Sequence, residues 1–210
     1  NFFNRLMKFN YFILLLFALL CFSCKKHNDS VDNKNTPYFK IDSLYNLSFS
    51  DKLNLNERIK FTNHGILLAE KNHIDSLHLK GIGNKAYHYM GVLPDSSGYY
   101  INELISTSKK KKKKKYLAYS YSLKGNSFFN QSRYDSAYFY FKSANVVYYD
   151  FNDSLSLGYN QLMMARIHYF YNDYNASEEL ATQALEYLKT KNKSYVIEAY
   201  NILGSIFKKS

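Results

Sequence analysis

The chain has 210 residues, 46% of them apolar and 21% charged, which leaves room for one domain of ordinary size with a real core and excludes a wholly disordered chain. Eight Gly, two Pro, five Val and five Thr are too few turn formers and β-branched residues for a sandwich or barrel, so the composition argues for helices. The net charge of +11 is a local matter. Seven lysines form one run at 109–115, and without it the balance is +4, so no broad basic face of the kind that reads nucleic acid is expected.

Residues 7–24 read MKFNYFILLLFALLCFSC, with Met7 as the natural start. Lys8 precedes an apolar stretch from Tyr11 to Phe22, too short for a bilayer span of roughly 20 residues but laid out like the n- and h-regions of a secretory signal. Ser23 and Cys24 close it, and here the residues resemble the lipobox of bacterial lipoproteins. The resemblance implies a signal peptide over 1–23 and a lipid on Cys24, the first mature residue. The match departs at the position three before the cysteine, where Leu is usual and Cys21 stands. Cys21 as the modified residue, or a Cys21/Cys24 pair as a disulfide or metal site, are the alternatives, although no second Cys or His pair completes a zinc site. Residues 24–49 read as the lipidated cysteine and a flexible tether, with the polar KKHNDSVDNKNTP leading to Pro37.

From residue 50 onward the chain repeats itself. Tyr134-Asp135-Ser136-Ala137 lies 40 residues after Pro94-Asp95-Ser96-Ser97, and Tyr174-Asn175-Ala176-Ser177 follows 40 later. Asp75-Ser76-Leu77 returns as Asp153-Ser154-Leu155 after two steps of 39. Each period has room for two helices. Leu117, Tyr121, Gly125 and Phe128 form one stripe, and Ala137, Phe141, Ala144 and Tyr148 a second, with Gly125, Ala137 and Ala144 small enough for close approach. The lysine run 109–115 reads as a solvated loop or helix end, with an anionic partner, lipid headgroup or nucleic acid, as the alternative.

These residues resemble the tetratricopeptide repeat, whose small, aromatic, Ala, aromatic, Ala signature falls on Gly125, Phe128, Ala137, Phe141 and Ala144. The next unit offers Ala165, His168, Ser177, Ala181 and Ala184, and the one before offers Lys85, His88, Ser97, Ile101 and Leu104. Helix 54–71 reads as the second half of a degenerate unit, and 196–207 as the first helix of a further one, its stripe of Val196, Tyr200, Leu203 and Phe207 lacking a partner. The fold expected is therefore all-α: an α-solenoid of tetratricopeptide-like hairpins over 50–210 with a period near 40, longer than the usual 34 and incomplete at its C-terminal end. The closing Pro of the pattern is replaced by Tyr149.

No phosphate-cradling Gly loop, His-Glu-x-x-His or Gly-x-Ser-x-Gly is present. His168 reads as a packing residue, and Asp95, Asp135, Asp153 and Asp173 as helix caps. No enzyme activity, cofactor or metal is expected. The resemblance implies a groove lined by first helices, contacted at Tyr119, Ser122, Asn126, Phe129 and Asn130, then at Tyr159, Leu162, Arg166, Tyr169 and Phe170. A Tyr- and Asn-rich face of this kind suits an extended peptide. The expectation is a protein–protein interaction scaffold anchored in the bacterial envelope, in a style that resembles proteins of the Bacteroidota. The alternative is the N-terminal sensor half of a signalling protein whose histidine kinase or helix-turn-helix domain follows.

Overall fold

Among residues 36–209, which the computed structural model describes, nine helices follow one another without a strand. They are α1 (Pro37–Ser48), α2 (Leu55–Lys71), α3 (Asp75–Met90), α4 (Pro94–Lys110), α5 (Lys114–Asn130), α6 (Tyr134–Asp150), α7 (Ser154–Phe170), α8 (Tyr174–Leu188) and α9 (Lys193–Phe207). The signal peptide and Cys24 lie outside the described residues.

The turns explain the period. His73, Lys112, Ser132, Asn152 and Asn172 each occupy the left-handed region at the middle of a three-residue turn, and the last four stand at intervals of twenty. In each turn the following N–H donates back to the carbonyl five residues earlier, as from Lys113 to Ser108 at 2.9 Å and from Asp153 to Tyr148 at 3.1 Å. This is the Schellman closure that satisfies the orphan carbonyls of a helix end. A 17-residue helix plus such a turn makes twenty, so the long repeat comes from long helices and not from long loops.

At the N-termini, Asn54 and Glu57 form a reciprocal capping box, and Asp153, Asp173 and Asn192 accept from backbone N–H groups three residues on. Asp95 and Asp135 are not caps. Each is the second residue of its helix with no side-chain capping bond, placed where a carboxylate favours the positive end of the helix dipole.

Each helix packs on its predecessor, and five separate apolar clusters, whose buried residues come from two or three consecutive helices, take the place of one central core. In the central hairpin Phe141 is fully buried beside Gly125, where a Cβ would stand 2.7 Å from its ring. Burying such a side chain contributes about 1.5–3 kcal/mol. Ala137 and Ala144 are likewise fully buried, as the hairpin spacing predicts.

Three expectations need correction. Residues 37–48, assigned to the tether, are the first helix of a hairpin with α2. Ile41 and Tyr45 are fully buried, the Tyr45 ring lies against Gly65 and Gly81, and its hydroxyl donates to the Leu77 carbonyl at 2.8 Å. The register of the α3/α4 unit shifts by one: Ala86, whose carbonyl accepts from Ser97 Oγ at 2.8 Å, fills the slot given to Lys85, and Tyr89 that given to His88. Tyr89 stacks on Tyr100 as Phe128 stacks on Tyr140, and Lys85 stands over Tyr100 as Lys124 stands over Tyr140. Finally, α9 buries Ala199, Ile202 and Ile206 against α7 and α8, while Tyr200 and Phe207 of the expected stripe face outward.

Candidate functional site

The first helices of the units, α3, α5, α7 and α9, form one side of the array. Neighbours α3 and α5 touch, as do α7 and α9, whereas α5 and α7 stand further apart. A groove of about 690 Å³ lies there. Helix α5 presents Tyr119, Ser122, Asn126, Phe129 and Asn130 to it, one face at helical spacing. Helix α7 adds Tyr159, Asn160, Met163 and Arg166, α9 adds Tyr195 and Glu198, and α3 adds Tyr87 and Met90.

Seven of the ten residues picked out by sequence meet in this groove. Leu162 does not: it is fully buried on the other face of α7, among Ala181, Ala184 and Leu188 of α8. Tyr169 packs on Tyr174, with Lys209 over both rings, and Phe170 stacks on Tyr134 at 5.2 Å; neither lines the groove. The consensus positions near the end of the first helix thus serve packing in α7, whereas in α5 the same positions, Phe129 and Asn130, line the groove.

Tyr87, Tyr148, Asn160, Met163, Tyr195 and Glu198 were missed. Tyr87 occupies the slot of Asn126 and Arg166 once the α3 register is corrected; the groove positions were carried only onto α5 and α7, and in the expected register that slot falls on Ala86, about 100° round the helix. Tyr148 enters from a second helix, α6, and no first-helix pattern finds it.

The groove sets uncharged hydrogen-bonding groups among apolar and aromatic side chains, and its one cation and one carboxylate balance. The Tyr159 hydroxyl donates to Asn126 Oδ1 at 2.7 Å, spanning the gap between α7 and α5, and its ring lies 5.1 Å from that of Tyr195. The Tyr119 ring lies against Gly83, where any side chain would displace it. Arg166 donates to Glu198 at 2.6 Å and stands over the Phe129 ring at 5.3 Å, so its charge is neutralised within the site. Burial pushes the Tyr119, Tyr148 and Tyr159 hydroxyls well above the usual phenol range, and for Tyr119 and Tyr159 the neighbouring tyrosines oppose ionisation further. All three stay neutral at physiological pH, as hydroxyls that both donate and accept. The buried Asn160 amide donates to Asn145 at 2.8 Å while its oxygen has no partner. His168 is not in the groove; it packs edge-on to Tyr138 and bonds Asp173 at 2.9 Å.

Among the described residues no three His, Cys, Asp or Glu side chains gather as a metal site, and no helix is long and apolar enough to cross a membrane.

No family model matches the chain, and none of the curated proteins does. Among solved structures, the crystal structure of aspartyl phosphate phosphatase F from Bacillus subtilis is similar, with a TM-score of 0.66 at 15% identity over 79% of this chain. The match spans 44% of that protein's length. The likeness concerns the fold, and with the hairpin packing above it makes this chain a tetratricopeptide-like α-solenoid.

Proposed function

We propose that the array is a non-enzymatic protein-interaction scaffold that holds an extended segment of a partner in the groove between α5 and α7. The observation that carries the reading is the convergence of uncharged hydrogen-bonding side chains from successive first helices on one groove: Tyr119, Asn126, Tyr159, Asn160 and Tyr195. Such groups suit the N–H and C=O of an extended backbone, and the aromatic rings suit its side chains. With Arg166 held by Glu198, no free charge selects an acidic or basic ligand.

A lipid on Cys24, following the leader 1–23, is the proposed means by which the array is held in the cell envelope. A sensor half of a signalling protein would use the same groove and differ in what is joined to it.

The groove reading is tested with peptides selected from a random display library against the chain. Asn126→Ala should weaken them about tenfold or more, while Tyr149→Ala on the outer face leaves them unchanged. Selected peptides indifferent to Asn126→Ala would sink it. For the anchor, Cys24→Ser should abolish incorporation of radioactive palmitate, and undiminished labelling counts against the assignment.

A further inference from the structure

Successive helices run antiparallel, so the starts of α1, α3, α5, α7 and α9 and the ends of α2, α4, α6 and α8 share one edge of the array. The lysine run crosses the α4–α5 turn on that edge, and all seven lysines are exposed. Two of them are engaged: Lys111 pairs with Asp75 at 2.5 Å and Lys115 with Asp153 at 2.8 Å. Of the other five, Lys113 acts on Asp75 from further off, and Lys109, Lys110, Lys112 and Lys114 have no carboxylate within 4.0 Å among the described residues. The same edge also holds Glu70, Asp75, Asp150 and Asp153, so its charge is mixed with lysine in excess, while the turns of the opposite edge carry Asp95, Arg133, Asp135 and Asp173 and no lysine run.

The chain enters the array on the lysine edge. Tyr38, in the first turn of α1, lies close enough to Tyr116, the residue directly after the run, to oppose its ionisation. Tyr38 is 56% and Phe39 44% exposed, and Lys40 is exposed beside them. Pro37 lies thirteen residue steps after Cys24, a reach of at most about 45 Å.

From this we infer that the edge carrying the lysine run and the first turn of α1 rests on a lipid surface of anionic headgroups. Lysine ammonium groups are strongly hydrated point charges that suit lipid phosphates, and each contributes about 1 kcal/mol near an anionic surface. Exposed Tyr and Phe beside them suit the headgroup level. A run without Arg lacks the fork that reads bases or grips phosphates bidentately. One lipid group holds a protein weakly and a basic patch supplies the second signal, so the inference rests on the Cys24 reading for what brings the array to the bilayer. It also orients the groove-bearing helices with their starts toward the membrane.

The chain contains no Trp, so a single introduced one reports its own edge. Tyr38→Trp on the lysine edge and Phe207→Trp on the opposite edge, 73% exposed in the native residue, are compared in the full chain, acylated and as Cys24→Ser. Each is mixed with phosphatidylcholine vesicles with and without phosphatidylglycerol. The Tyr38→Trp emission should shift to shorter wavelength on the anionic vesicles at low salt and return at high salt, with Phe207→Trp unmoved. Replacing Lys109, Lys110, Lys112 and Lys114 by Gln should lower vesicle partitioning about tenfold or more, with helix content kept, and replacement by Arg should restore it.

Equal response to both vesicle types, equal response of the two reporters, or full binding by the four-Gln variant would overturn the inference. So would tighter binding to a single-stranded oligonucleotide than to the vesicles. Loss of palmitate labelling at Cys24 with the vesicle preference intact would remove the anchor alone. A labelled Cys24 without that preference would remove this inference alone.

Discussion

His88 shows how one buried side chain sets a pH limit. Its Nε2 lies 3.1 Å from Ser48 Oγ, which itself donates to the Tyr45 carbonyl, so His88 donates and its Nδ1 is left buried without a partner. Burial, reinforced by the Arg58 charge, pulls its pKa down to about 4. Above about pH 6.5 the histidine of the unfolded chain is neutral too, and the full stability is present. Between about pH 6.5 and 4 the unfolded state takes up a proton that the folded state refuses, so stability falls with pH by up to about 3 kcal/mol. Urea titrations of the native chain and of His88→Leu across this range should show the variant's curve flattened. Glycines test packing at the same scale. Gly125→Ala puts a Cβ into the Phe141 ring and should cost about 1–3 kcal/mol, whereas Gly98→Ala meets open space and should add up to about 1 kcal/mol. Equal midpoints in urea would count against the register of the central hairpin.

At the scale of the element, the turns are where local preference and observed geometry disagree. Asn152 and Asn172 accept the left-handed conformation at little expense, but Lys112 and Ser132 adopt it with no such preference. Ser132→Gly should therefore raise stability by about 0.5–1 kcal/mol, and Ser132→Val should lower it; calorimetry in which Val is neutral would show that the turn geometry is not needed. The same turns explain why the repeat was visible in sequence. The Pro94, Tyr134 and Tyr174 markers open α4, α6 and α8, separated by two 17-residue helices and two three-residue turns. The Asp75 and Asp153 markers are less faithful. Asp75 is the first residue of α3 and Asp153 the residue before α7, so the two are not equivalent positions; and because α3 is one residue shorter than α5 and α7, the forty-residue step that places Ser97 correctly falls on Lys85, one short of Ala86.

For the molecule as a whole, the absence of a single core has a consequence for cooperativity. The buried residues of each apolar cluster come from no more than three consecutive helices, so stability is a sum of local terms between neighbours. Ala184→Phe, which overpacks the fully buried contact among α7, α8 and α9, should lower amide-exchange protection in those helices and leave α1 to α3 unchanged. A uniform loss of protection along the chain would mean that the array unfolds as one unit.

What the sequence by itself determined was the class of fold, the period and the packing of the central hairpin, because helical spacing and small residues opposite large ones are local patterns that the chain carries in order. It also placed most of the α5 face of the groove, since one helix face is readable wherever its register is known. Tertiary structure alone decided the rest. α1 is too short, at 12 residues, for its stripe to announce itself, and becomes part of the array because Tyr45 finds Gly65 and Gly81 on later helices. Tyr87, Tyr148 and Tyr195 reach the groove from three different helices, and Tyr38 at the start of α1 comes near Tyr116, beside the lysine run, across more than seventy residues of chain. Such meetings depend on how successive hairpins stack, a property of packing in space that no spacing along the chain encodes.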